Sequence, residues 1–148
     1  MTEPIFRTSK KKDLPEVAKI LQKEYSKPPY NDQWSIEAAM EKLKEYIRFD
    51  GKIFVIEVNK KIAEFAIGHL YIYYDGIHAY LDEIAIDERH QGKGFGKKLI
   101  AVFEDYCKIN NAVQINLMAS KKANAFNIYK KLNYKEDEDF LQLFKRLK

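Results

Sequence analysis

Apolar positions along the chain recur with two periods, and the points where the period changes divide it into elements. Ile5 to Ser9 reads as a short strand. Asp13 and Glu16, three residues later, make a capping box, and Pro15 suits the first turn of the helix that follows. Leu14, Val17, Ala18, Leu21 and Tyr25 share one face of that helix until Lys27-Pro28-Pro29 stops it. A second helix starts after Ser35, with Ile36, Met40, Leu43 and Ile47 as its apolar face and Asp50-Gly51 as its end.

The period then drops to two. Ile53 to Val58 and Ile62 to Tyr73 are rich in β-branched and aromatic residues and are separated by the polar turn Asn59-Lys60-Lys61. Tyr74-Asp75-Gly76 turns the chain into a third run, His78 to Ile86, so the pattern predicts an antiparallel meander. After a glycine-rich stretch, Phe95, Leu99, Ile100, Phe103 and Tyr106 mark a helix. Val113, Ile115 and Leu117 mark a strand, parallel to its predecessor because a helix crosses between them, by a right-handed connection. Ala125, Ile128, Tyr129 and Leu132 form a last helix, and short strands near Tyr134 and at Phe140 to Phe144 finish the chain. The order predicts one α/β (α+β) domain over residues 1–148, with a mixed sheet of about seven strands and about four helices. Ligands of such sheets gather where neighbouring strands diverge, which places function at the parallel crossover.

Composition narrows the function classes. Apolar residues are 46% of the chain, enough for a single core, and no stretch reads as a linker. Glu, Lys or His interrupts every apolar run well short of a membrane span, and the N-terminus lacks the apolar stretch of a secretory signal, so the expectation is a cytoplasmic protein without a membrane partner. The net charge of +4 arises from lysines scattered among acids rather than from a basic stripe with aromatics, which argues against a nucleic-acid partner. Cys107 is the only cysteine, and in a helical pattern it reads as a buried thiol. His69, His78 and His90 show no metal-ligand spacing, so no metal is expected.

Gly92, Gly94 and Gly96 fall between the strand ending at Ile86 and the helix through Leu99. Glycines there let the backbone turn sharply and direct several N–H groups at one anion, at the positive end of a helix dipole. The bland alternative is a tight strand-to-helix turn and nothing more. The spacing is neither that of a P-loop nor that of a dinucleotide-binding fingerprint.

Gln91-Gly92-Lys93-Gly94-Phe95-Gly96 fits Gln/Arg-x-x-Gly-x-Gly/Ala and resembles the acetyl-CoA-binding motif of the GNAT superfamily of N-acetyltransferases. The strand Leu81 to Ile86 before it, the helix Gly96 to Cys107 after it and the stretch Ala125 to Tyr134 resemble the same family, so the likeness spans nearly the whole chain. It implies acetyl-CoA as cosubstrate, with Gln91, Gly92, Lys93, Gly94, Phe95, Gly96 and Lys97 around the pyrophosphate and backbone groups of Ile84 and Ile86 along the pantetheine arm. Where the family carries an asparagine, this chain has Lys122, which leaves Asn124 nearby for an amide contact to the cosubstrate. Tyr129-x-x-Leu132-Asn133-Tyr134 is similar to the family's Tyr-x-x-Leu-Gly-Phe, whose tyrosine meets the cosubstrate and serves as the acid; Asn133 replaces the glycine and tolerates the same left-handed turn.

Attack by an amine needs a base. The candidates are Asp82 and Glu83, which strand alternation sends to opposite faces, and Glu83 is favoured by resemblance to polyamine acetyltransferases. The plain alternative makes either one an ion-paired strand residue. Between the first two helices, Tyr30 and Trp34 in an aromatic, acidic loop suit a cationic acceptor, although Trp34 stapled onto the core reads equally well. The resulting expectation is acetyl transfer to a small primary amine by direct attack in a ternary complex. The alternatives are a protein N-terminus or lysine as acceptor, or a CoA-binding module without catalysis. Asn116-Leu117-Met118-Ala119 lacks the Leu-Glu-Val-Arg of one protein-acetylating subgroup, and the resemblance makes a homodimer a further expectation.

Overall fold

A computed structural model describes residues 2–148. Five strands form one sheet in the order β1-β2-β3-β4-β5: Ile5–Thr8, Lys52–Val58, Lys61–Tyr73, Gly76–Ile86 and Ala112–Leu117. Neighbours pair antiparallel as far as β4, and β4 with β5 is parallel, as the crossover requires. The helices are α1 (Leu14–Tyr25), α2 (Ile36–Arg48), α3 (Phe95–Ile109) and α4 (Asn124–Lys131).

Strand alternation builds two cores. Ile53, Val55, Phe65 and Ile67 point to one face and pack with Leu14, Val17, Leu21, Ala39 and Leu43 of α1 and α2. Phe54, Ile56, Ala66 and Leu81 point to the other and pack with Leu99, Ile100 and Phe103 of α3 and Tyr129 of α4. Gly68 leaves the space that the Phe103 ring fills. Cys107 is buried in this second core, and burial pushes its thiol up to about 11, away from the reactive thiolate.

Three local expectations change. Asp13 does not cap α1; it is buried and accepts hydrogen bonds from Arg7 Nη1 at 2.7 Å and from the Lys10 backbone N–H at 2.6 Å. Arg7 also donates to Glu57 at 2.7 Å, so the acid is spent joining β1 to β2 and the approach to α1. Glu16 accepts instead from the Ile62 backbone N–H at 3.0 Å. Ser35 does cap α2, accepting from the Ala38 N–H at 3.0 Å. The two C-terminal strands are not formed: residues 135–148 run without sheet pairing, so among the described residues the sheet holds five strands rather than about seven.

Candidate active site

The parallel pair opens as it advances. β4 and β5 pair from Ile77 with Ala112 to Leu81 with Leu117, where β5 ends, while β4 continues to Ile86 on β3 alone. The Ile84 carbonyl lies 3.3 Å from the Tyr25 hydroxyl, and the Gln91 amide donates to the Ile86 carbonyl at 3.1 Å. Alternate residues of a strand direct their backbone groups the same way, so Ile84 and Ile86 present theirs on the edge that β5 has left. Gln91 also donates to Glu24 at 3.1 Å, which makes it a brace between the turn, β4 and α1.

Past Ile86 the chain passes through Asp87, whose carboxylate is held at about 2 by the Arg89 guanidinium, and a short 3-10 turn at Glu88–His90. Gly92 and Gly94 then adopt φ of +76° and +77°, the left-handed region that favours glycine. Gly94 is the N-cap of α3 and carries no side chain to occupy the helix's first N–H groups. A Cβ at Gly92 or Gly94 would meet nothing within 4 Å, so the ground in front of the turn is open. The first turn of α3 contains no acidic residue, and Lys93 and Lys97 are exposed around it. Free N–H groups, the positive end of a helix and flanking lysines are the features that suit a bound anion. Gly96 has a different reason: a Cβ there would lie 3.0 Å from Ile86 Cδ1. The Phe95 side chain is buried, with its ring stacked on His90 at 5.9 Å, and so anchors the turn.

The carboxylates are not where simple alternation puts them. Ile67 pairs with Glu83 and Gly68 with Leu81, which makes Asp82 the extra residue of a β-bulge. The bulge resets the alternation, and Asp82 and Glu83 both fall on the α1/α2 side while Leu81 keeps to the α3 core. Glu83 accepts from the Tyr25 hydroxyl at 2.5 Å and from the Tyr46 hydroxyl at 3.0 Å. Asp82 lies 2.6 Å from His69 Nδ1, and that ring stacks on Tyr80. Burial raises both carboxyls above the usual range, and their partners oppose it, the tyrosine hydroxyls for Glu83 and His69 for Asp82. Beside them a cavity of about 180 Å³ is lined by Glu45, Tyr46, Phe49, Gly51, His69 and Asp82.

Tyr129 is buried on α4, with its ring 5.7 Å from that of Tyr134. Burial, with Tyr30, Glu64 and Glu83 nearby, holds its hydroxyl well above the usual phenol range, so it stays protonated. Tyr30 meets Tyr25 edge-on at 5.1 Å and feels the Glu83 charge. Tyr30 and Tyr129 thus both lie within reach of the Glu83 charge. Trp34 does not join them; it packs on the α1/α2 core, and its carbonyl accepts from Gln22 at 3.0 Å. Asn124 is exposed at the start of α4. Tyr25, Tyr46 and His69 escaped the sequence reading. Tyr25 was legible only as a core position, and the one signal for His69 was Gly68 inside a strand, a mark of bulges. Among the described residues no group of three or more His, Cys, Asp or Glu side chains could hold a metal ion, and no helix is long and apolar enough to cross a membrane.

Comparison with known proteins accords with this geometry. The model of the family described as "Acetyltransferase (GNAT) family" matches residues 14–134. No curated protein matches the chain in sequence. A possible acetyltransferase from Clostridium difficile 630 superposes with a TM-score of 0.83 at 18% identity, covering 98% of this chain and 99% of that one. Glucosamine-6-phosphate N-acetyltransferase from Arabidopsis thaliana gives 0.75 at 20% identity, with 99% and 100% covered. A structure described as "predicted acetyltransferase with acetyl-CoA" from Clostridium acetobutylicum gives 0.76 at 18% identity, with 96% of each chain covered. At these identities the structures speak for the fold.

Proposed function

The chain belongs to the GNAT acetyltransferase family, and on that premise we propose that it acetylates a small primary amine, with Glu83 as base and Tyr129 as acid. Membership makes it an N-acetyltransferase with acetyl-CoA as cosubstrate, the thioester supplying an activated acetyl group. The residues fit that molecule. The Gly92–Lys97 turn offers backbone N–H groups and lysines to its pyrophosphate, and the freed edge of β4 at Ile84 and Ile86 offers backbone partners to its amide-bearing arm.

One observation carries the reading: the bulge at Asp82 brings two carboxylates, two tyrosines and His69 together beside a cavity sized for a small amine. An amine arrives as an ammonium ion and must lose a proton before its lone pair can attack. Glu83, raised by burial yet held by two hydroxyls, takes that proton and passes it to solvent. As the new C–N bond forms and the C–S bond breaks, Tyr129 gives its hydroxyl proton to the departing sulfur. The second nitrogen proton, shed as the amide forms, restores it. Asp82 and Glu45 attract the cation, and Tyr46 and Phe49 supply aromatic walls.

Thiol release from acetyl-CoA, measured with a panel of small primary amines and with lysine- and N-terminus-bearing peptides, tests the acceptor class. Turnover with amines and none with peptides supports the reading; turnover with peptides alone overturns it.

A further inference from the structure

Along β3 the run Ile62-Ala63-Glu64-Phe65-Ala66-Ile67 is buried throughout, and Glu64 is its one ionisable residue. Glu64 is 0% exposed, and neither of its carboxyl oxygens has a hydrogen-bond partner. An unpaired acid inside a core costs stability, so its presence calls for a use.

A bulge sets its direction. Ile56 pairs with Glu64 and Glu57 with Ile62, which leaves Ala63 as the extra residue. Ala63 and Glu64 in consequence both face α3. The Ala63 carbonyl accepts from the Asp87 N–H at 2.8 Å, which ties this point of β3 to the start of the glycine turn.

Glu64 ends beneath that turn and beside α4. The Cβ position of Gly96 lies 3.6 Å from Glu64 Oε1 and 3.8 Å from Ile128 Cδ1, so the carboxyl and the residue before Tyr129 meet over one point of α3. Its partners in the sheet are apolar, Ile56 on β2 and Ile86 on β4. The nearby charges are engaged elsewhere: Glu57 with Arg7 and Asp87 with Arg89, while Lys93 and Lys97 stand exposed on the turn. Burial acts on Glu64 with no charged group opposing it. The Tyr129 hydroxyl feels it, and feels Glu83 from the other face of the sheet.

We propose that Glu64 is a positioning residue for proton transfer from Tyr129: kept neutral by its apolar setting, it presents an O–H rather than a negative charge to the phenolate that forms as Tyr129 protonates the departing sulfur. This rests on the reading of Tyr129 as the acid. The bond that breaks is Tyr129 O–H and the bond that forms is S–H; Glu64 keeps its own proton throughout. An ionised Glu64 would set a second negative charge beside the phenolate and oppose the transfer.

Nuclear magnetic resonance with carbon-13 at the glutamate carboxyls and at tyrosine Cζ tests the pair without any acceptor. The carboxyl signal missing from Glu64→Gln should hold its protonated position through neutral pH and titrate at about 9. The signal missing from Tyr129→Phe should move over the same range in the wild type and stand still in Glu64→Gln. Kinetics with a small amine that the wild type accepts, at pH values where circular dichroism is unchanged, supply the second arm. Wild-type kcat should fall roughly tenfold or more above that range. Glu64→Gln should lose this alkaline limb, with kcat at neutral pH reduced several-fold and the KM for acetyl-CoA held. A Tyr129 signal that ignores the Glu64 titration, or a limb that persists in Glu64→Gln, overturns the proposal. A Tyr129→Phe enzyme at full rate instead removes the acid role on which it rests, a failure seen in a different variant.

Discussion

The Tyr25 hydroxyl, at the end of α1, donates a 2.5 Å hydrogen bond to Glu83, in the middle of β4. A helix on one face of the sheet thus governs the charge of a carboxyl on the strand that splits from its neighbour. The bond stabilises the ionised carboxyl against a burial that would keep it neutral.

Tyr25→Phe removes that bond and leaves burial. The Glu83 pKa should rise, since a hydrogen bond to a charged group contributes about 1.5 to 3 kcal/mol and each pKa unit corresponds to about 1.4 kcal/mol. The acidic limb of the kcat profile should move toward neutral pH by roughly one to two units. An unshifted limb, with activity otherwise intact, would show that Glu83 is not the titrating base.

Tyr129→Phe keeps the ring in its packing and removes only the proton donor. We expect kcat to fall by roughly 10² to 10⁴ while acetyl-CoA affinity, read by calorimetry, changes little. Equal loss in affinity and turnover would make Tyr129 a binding residue.

Gly94→Glu forces a side chain onto a φ of +77° and sets a negative charge at the start of α3. Strain of about 1 to 2 kcal/mol is expected in stability, with a larger loss in acetyl-CoA binding. Gly94→Ala separates the two effects, because its Cβ meets open space. Comparable binding by wild type and Gly94→Glu would place the pyrophosphate elsewhere.

Glu64 is fully buried on β3, its carboxyl oxygens have no partner, and one lies 3.6 Å from the Cβ position at Gly96. Burial pushes its pKa from 4.5 up to about 9. The folded state therefore holds a proton that the unfolded chain releases, and this raised acid lowers stability as pH rises from 4.5 to about 9. Thermal melts should show the wild type losing Tm across that window, with Glu64→Gln flatter and more stable at its alkaline end. Parallel curves for the two proteins would contradict this.

Much of this was legible in the residues because local rules and tertiary structure agree. The meander, the glycine turn and the helix carrying Tyr129 all follow from period and turn chemistry. The bulge at Asp82 was not legible, since one extra residue in a ladder depends on which residue the partner strand places opposite. That single slip explains why alternation separated Asp82 from Glu83, and why His69 and Tyr46 went unread as their neighbours. Asp13 failed as a cap for a similar reason: Arg7, distant from any helix pattern, claimed its carboxylate. Trp34, open to two readings from sequence, packs on the core that α1 and α2 share with the sheet. At the C-terminus the pattern names a strand, but a pattern carries no information about whether a sheet receives it.

The proposed chemistry turns most directly on the roles of the two carboxylates that the bulge places together. Single-turnover acetyl transfer, with a small amine that the wild type accepts and acetyl-CoA in excess, separates chemistry from binding in Glu83→Gln and Asp82→Asn. Glu83→Gln should slow the chemical step by roughly 10² or more with acetyl-CoA affinity retained, whereas Asp82→Asn should mainly weaken the amine's KM. A Glu83→Gln enzyme that transfers acetyl at the wild-type rate would contradict the account.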